Sequence, residues 1–211
     1  MPVEAKIPSL SNKENVMKTS SFLFLVFFSM LSSATDITPA PVWEDGFSWE
    51  YQVTPSNGPR HTRTDTVISV EGNGYILQIE EAGKQRQAFY RKDGNLEASK
   101  IEYYKFPLTV GDSWKQEFEY TGQKNKKNYT AQVEVQVVAI ERITTPAGEF
   151  DAFKIVSTMH YTQLDTSYRN KVVDTNWYAP KVRKTVRFES IDYGSADAKR
   201  TVLELIRCSL C

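Results

Sequence analysis

His61 and His160 come first among residues that could do chemistry, because imidazole titrates near neutral pH and is a common metal ligand. Each sits in a strand-like run with polar neighbours, far from the other. No third group stands at metal-ligand spacing, so neither a zinc nor a hydrolytic centre is indicated. Glu80-Glu81 and the pair Glu149/Asp151 are the nearest approach to paired carboxylates. Glu149 and Asp151 share one strand parity and point the same way, as on a solvated edge. A glycosidase would set its two carboxyls across a cleft. No G-x-S-x-G elbow and no phosphate-cradling glycine loop is present. Cys208 and Cys211 form C-x-x-C at the end of the sequence, without the βαβ context of a redox motif, and two cysteines cannot close a zinc site. They read as a short tail, 208–211, that oxidises locally. Asn128-Tyr129-Thr130 matches a glycosylation triplet, which matters only in a eukaryotic secretory pathway. Lys124, Lys126 and Lys127 beside Tyr129 read as a solvated basic loop. The expectation is therefore a chain with no catalytic residues, no metal and no cofactor.

Aromatic side chains are what remains. Trp49, Phe89, Tyr90, Trp114, Trp177 and Tyr178 are the candidate ligand-binding residues, with Trp43, Tyr103 and Tyr104 nearby in the inventory. Core packing accounts for most of them. The alternative is a curved sheet that leaves an apolar concave face open to a hydrophobic ligand or a partner protein.

The elements that would carry these residues alternate with period two. Phe47, Trp49, Tyr51 and Val53 share one face of a strand in 46–53. Further strand patterns run over 61–70, 75–79, 87–91, 96–104, 113–120, 129–143, 150–161, 170–179, 184–191 and 201–207. Turn chemistry separates them: Gly72-Asn73-Gly74, Asp93-Gly94, Pro146-Ala147-Gly148 and Pro180. Pro146, Gly148 and Pro180 are expected to be structural turn residues. No window sustains helical spacing. The pattern predicts an all-β domain of about ten to twelve antiparallel strands, in a strongly curved sheet or incomplete barrel.

Gly46-Phe47-Ser48-Trp49 and Gly111-Asp112-Ser113-Trp114 share a G-x-S-W frame. Each is followed by an apolar strand (67–70; 135–138), a return strand (75–79; 150–155) and an aromatic pair (Phe89-Tyr90; Trp177-Tyr178). Two related meanders are expected, 43–105 and 106–207, forming one domain over 43–207.

Phe22–Leu31 is an apolar run too short to span a membrane. Lys13 and Lys18 precede it, and Ser32-Ser33-Ala34 follows. That order is a secretory signal over 1–34, with Met17 as the more ordinary start. Residues 35–42 read as a mobile Pro-rich leader. Charge is balanced over the whole sequence, and the portion after Ala34 stays near neutral. No electrostatic footprint for nucleic acid exists, and no transmembrane segment remains once the signal is removed.

The runs Phe106-Pro-Leu-Thr-Val-Gly-Asp-Ser-Trp114, Thr145-Pro-Ala-Gly-Glu-Phe-Asp-Ala-Phe-Lys154 and Trp177-Tyr-Ala-Pro-Lys-Val182 resemble the TapB-like exported bacterial proteins, within a wider domain-of-unknown-function group of bacterial envelopes. The resemblance spans roughly 43–192. It implies a periplasmic or secreted β-rich domain and supplies no catalytic mechanism. Arg183 departs from it, where similar proteins carry a small residue. The function expected is non-catalytic binding on the concave face. The alternative is a structural or assembly module acting through sheet-edge contacts, and a hydrolytic enzyme ranks last.

Overall fold

The computed structural model describes residues 38–122, 125–194 and 197–211. The expected signal sequence, the start at Met17 and Lys124 lie outside the described residues. Among those described there is no helix. Ten antiparallel strands form one sheet: β1 (Ser48–Pro55), β2 (His61–Val70), β3 (Gly74–Glu81), β4 (Lys84–Arg91), β5 (Ser113–Thr121), β6 (Asn128–Thr145), β7 (Gly148–Gln163), β8 (Arg169–Ala179), β9 (Lys184–Asp192) and β10 (Lys199–Cys208). Their order is β4-β3-β2-β1-β10-β9-β8-β7-β6-β5, and the sheet does not close into a barrel. The last strand returns to pair with the first, Tyr51 opposite Leu205.

The two meanders enter the sheet through one shared frame. Gly46 takes φ +84° and Gly111 φ +99°, a region open to glycine without strain. Gly46 N–H donates to the Val67 carbonyl (2.9 Å), and Val67 N–H donates to that of Phe47 (2.8 Å). Gly111 donates to Val137 (2.8 Å), and Val137 to Asp112 (2.9 Å), in the same pattern. A β-bulge follows each valine, between Val67/Ser69 and between Val137/Ala139. Each bulge leaves a large apolar residue outside, Ile68 at 44% and Val138 at 47% exposure. Further on, Tyr90 stands opposite Tyr75 as Tyr178 stands opposite Phe153. The structural equivalent of Val67 is thus Val137, two residues beyond the pairing drawn from the apolar runs.

Curvature follows from the long β6–β7 hairpin. Its tip is a two-residue turn, Pro146-Ala147, with Thr145 opposite Gly148 and Gly148 at φ +133°. Ala147 N–H donates to the Leu205 carbonyl of β10 at 3.2 Å. In a flat sheet β6 and β10, four strands apart, would be separated by about 19 Å at about 4.8 Å per strand. The bulge at Val138 sharpens the local twist and lets the hairpin swing across. β7 is consequently buried on both parities. Phe150 and Ala152 join the cluster around Trp49, Leu77 and Leu205. Phe153 and Ile155 join the cluster around Leu108, Trp114 and Val135.

β4 and β5 are consecutive in sequence yet occupy opposite edges of the sheet. The segment 92–112 must therefore cross from edge to edge, and it does so over the inner face. Strand structure expected at 96–104 is absent. After the Asp93-Gly94 reversal the chain makes one bridge, Tyr90 with Leu96, and leaves the ladder. A chain running across strands cannot use their backbone groups, so side chains supply the partners. Asn95, 2% exposed, accepts from the N–H of Tyr103 (2.8 Å) and Tyr104 (3.1 Å) and donates to the Tyr104 carbonyl (2.8 Å). Gln116 accepts from Glu102 N–H at 2.9 Å, and Ser99 Oγ accepts from Ile101 N–H at 3.0 Å.

Both ends of the described domain are tied down. Thr38, 7% exposed, exchanges backbone hydrogen bonds with Leu108 at 3.2 and 2.9 Å, and Pro41 accepts from the Tyr75 hydroxyl. Cys208 lies in β10 opposite Trp49 and is disulfide-bonded to Cys211, while Ser209 bonds Ser48.

Replacing Asn95 by Ala would leave two half-buried amide N–H groups and one carbonyl without their partner. At about 1 kcal/mol for each of three half-buried groups, the low end of the cost of a stranded polar group, a loss of about 3 kcal/mol is expected in urea unfolding, with hydrogen exchange at Tyr103 and Tyr104 accelerated. A stability change below about 0.5 kcal/mol, within the range of ordinary surface substitutions, would show that the crossing segment does not need this side chain.

Candidate functional site: a hollow beneath the crossing segment

Between the crossing segment and the sheet lies a hollow of about 270 Å³, lined by β1, β2, β4, β8, β9 and β10 below and by 94–104 above. Its floor carries an ion cluster. Asp65, 1% exposed, receives Arg63 Nε (2.7 Å) and Nη2 (3.1 Å) and Lys184 Nζ (2.6 Å). Alternation places Arg63, Asp65 and Val67 of β2 on the inner parity, opposite Tyr51, Trp49 and their β1 neighbours. The threonines on the other parity face outward. The Lys184 ammonium lies over three aromatic rings, 4.5 Å from Trp49 and 5.4 Å from both Trp43 and Tyr90.

Four tyrosines surround this floor. The Tyr51 hydroxyl donates to the Thr185 carbonyl at 2.9 Å, and Tyr103 donates to Asp174 Oδ2 at 2.7 Å. Tyr104 meets Thr185 Oγ1 at 2.7 Å and receives Asn176 Nδ2 at 3.0 Å. Burial, and after it the charge of Asp65, pushes the Tyr51 and Tyr90 hydroxyls up. Burial pushes Tyr103 up, with Asp174 adding to it, and carries Tyr104 up to about 12. All four are neutral hydroxyls at physiological pH.

Two aspartates here are shifted in opposite directions. Burial pushes Asp65 up, but Lys184 and Arg63 outweigh it and hold the carboxyl below its usual range. Burial also pulls Lys184 down against the opposing pull of Asp65. For Asp174 burial wins over hydrogen bonds from Ser190 and Tyr103, and the carboxyl is raised. Its Oδ1 has no partner, nor has Ser157 Oγ on the residue directly opposite.

The six aromatic candidates do not converge. Phe89 and Tyr90 are neighbours on one strand, as are Trp177 and Tyr178, so one of each pair must face away. Tyr90 reaches the hollow; Phe89 packs over Gly74. Tyr178 is buried against Tyr104 and Phe106, while Trp177 points to the other face and donates to Glu141 Oε2 at 3.0 Å. Trp49 is fully buried and donates to the Val182 carbonyl at 3.0 Å, beside Trp43, which donates to that of Arg183 at 2.8 Å. These two indoles clamp the Pro180–Arg183 turn. Arg183 there takes φ +57°, a region that glycine or asparagine enters with less strain. Trp114 donates to the Glu102 carbonyl at 2.9 Å and so anchors the crossing segment.

The other sequence candidates lie elsewhere. His61 meets Glu81 at 3.2 Å, and Asp151 is paired with Arg142 at the surface. His160 sits on the outer face in a polar row, Glu117–Gln132–His160–Lys171, along hollows of about 540 and 630 Å³. Many of the side chains lining those are exposed, and none gathers charge as Asp65 does. Among the described residues no three His, Cys, Asp or Glu side chains stand close enough to hold a metal ion, and no helix is long and apolar enough to cross a membrane. Arg63, Asp65, Lys184 and Asn95 were not singled out from the sequence. The usable signal was Arg-x-Asp on one strand parity, which places opposite charges side by side.

Residues 48–203 match the DUF3108-like family. The chain belongs to that family. The match runs from β1 to β10 and so contains the whole lining of the hollow. No curated protein matches the chain. Solved structures to which the chain shows similarity include a candidate lipoprotein of Parabacteroides distasonis, at 16% identity and TM-score 0.49 over 82% of this chain and 100% of that one. A candidate exported protein with a YmcC-like fold from Bacteroides fragilis gives 17% and 0.47 over 83% and 100%. The hypothetical lipoprotein YmcC of Escherichia coli gives 9% and 0.43 over 76% and 84%. No enzymatic activity is indicated for this DUF3108-like chain by its family.

Asp65→Asn would leave Lys184 and Arg63 buried without a counter-charge, and a loss of about 3–5 kcal/mol is expected at pH 7. Lys184→Met keeps the Arg63–Asp65 pair and should cost under about 1.5 kcal/mol. Equal costs for the two, read from urea unfolding, would contradict the charge count. The pH dependence separates the aspartates. A lowered folded pKa makes the Asp65 contribution present above the unfolded carboxyl value of about 3.9 and lost as pH falls through the folded value. A raised folded pKa makes Asp174 a penalty at neutral pH, relieved as pH falls. Asp174→Asn is therefore expected to melt no lower than the parent at pH 7, with its advantage shrinking toward pH 4. An advantage that grew on acidification would reverse this assignment.

Proposed function

We propose that the chain is an exported, non-catalytic binding protein of the bacterial envelope, which holds a small molecule with an apolar body beneath the crossing segment. The observation that carries this is the hollow itself. It combines apolar walls, Leu96, Phe188 and Leu203, with a few convergent polar groups that are fixed by buried hydrogen bonds. Every side-chain oxygen of Asp65 is engaged by a cation, so that carboxylate is not poised as a base or nucleophile. Export is supported by the basic flank, short apolar run and small residues before Ala34, and by the three-motif likeness to TapB-like proteins.

Sheet-edge assembly finds less support. The β4 edge opens with Lys84, Gln85, Arg86 and Gln87, all exposed, and charged side chains on an edge disfavour strand addition. β5 offers the other edge, alternating exposed Lys115, Glu117 and Glu119 with inner-face residues.

Native mass spectrometry of protein recovered from the cell envelope tests the proposal. A discrete adduct is expected, lost in Leu203→Trp, whose indole would occupy the hollow. Protein free of any adduct, with organic extraction yielding nothing, would remove the support.

A further inference from the structure

The charges under the crossing segment do not balance. Arg63 and Lys184 bring two cations and Asp65 one anion, while the second buried aspartate, Asp174, bonds Tyr103 and pairs with neither cation. Glu81, the cross-strand neighbour of Arg63, is engaged with His61 instead. One positive charge is left over where the Lys184 side chain is 11% exposed and that of Arg63 19%. Surplus buried charge is costly, and proteins normally pair it. The ammonium of Lys184 has three N–H donors, and one goes to Asp65. The tyrosine hydroxyls cannot supply the missing charge, because each is held neutral by burial. Both cations line the hollow, on the same side as Tyr51 and Tyr90, with Leu96 and Leu203 as apolar wall.

We infer that the hollow takes a monoanionic carboxylate whose head group is read by Lys184 and Arg63 and whose apolar body lies against Leu96, Phe188 and Leu203. This rests on the binding reading above and adds the class of ligand. One surplus cation matches a monoanion and would be over-neutralised by a phosphate dianion. At roughly 30 Å³ of liquid volume per water, the hollow equals the share of about nine waters, so it fits an organic acid of around ten non-hydrogen atoms.

Titration calorimetry of the whole protein with phenylbutyrate and with its neutral amide tests the inference. The carboxylate is expected to bind at least tenfold more tightly than the amide. That ratio should collapse to within about twofold in Lys184→Met and return in Lys184→Arg, which restores the charge. Thermal unfolding of each variant confirms that it is folded. Equal affinity for carboxylate and amide in the parent protein would overturn the anion assignment while leaving the hollow as a binding site. Failure of both compounds to bind at millimolar concentration would remove the binding reading and this inference together. Displacement of phenylbutyrate by equimolar inorganic phosphate would also overturn it, in favour of a phosphate-bearing ligand.

Discussion

A connection between two strands at opposite edges of one sheet governs this molecule. β4 ends at one edge and β5 begins at the other, so residues 92–112 have no route except across a face. A crossing chain cannot join the ladder beneath it, and its amides need partners all the same. Asn95 supplies them by acting as a surrogate backbone for Tyr103 and Tyr104. The inner face is thereby covered rather than left open, and the space that remains is a pocket-sized hollow instead of a broad groove. Trp114 and Gln116 of β5 reach back to Glu102 and fix the far end of the same segment.

Covering the face changes what its aromatics do. Trp43, Trp49 and Tyr178 become walls of the core, and their polar atoms or rings serve as clamps and cages. The indoles of Trp43 and Trp49 hold the β8–β9 turn through backbone carbonyls, and the faces of the same rings receive the Lys184 ammonium. One cation is thus stabilised by ring electrons and by Asp65 at once, in a region where neither alone would offset its lost hydration. The electrostatics and the curvature are linked, because β1 and β9 lie on either side of β10 and only a bent sheet brings their side chains over one floor.

The paired glycine frames show how the bending is written twice. Gly46 and Gly111 turn the chain into β1 and β5 with the same hydrogen bonds, and a bulge follows the same valine in each partner strand. In the first meander the strand stops soon after the bulge. In the second it continues to Thr145, and that extra length is what reaches β10. Similar local instructions therefore produce different ends, decided by how far β6 and β7 extend.

Period-two alternation made nearly every strand legible, because one face of an antiparallel strand must be apolar when it is packed. The turns at Gly72-Asn73, Pro146 and Pro180 were legible from local chemistry: glycine and asparagine tolerate turn backbone angles, and proline presets its own φ. The segment 96–104 misled, since extended backbone and apolar spacing look alike whether the chain pairs in a ladder or crosses over one. The adjacent pairs Phe89-Tyr90 and Trp177-Tyr178 could not all share a face, which alternation alone already forbade. The sequence by itself determined the strands, their turns and the all-β class, since those depend on neighbours a few residues away. Only the tertiary structure decided that Arg63, Asp65 and Lys184 meet, because an ion cluster of two strands 119 residues apart exists only once the sheet has curled and the crossing segment lies over it.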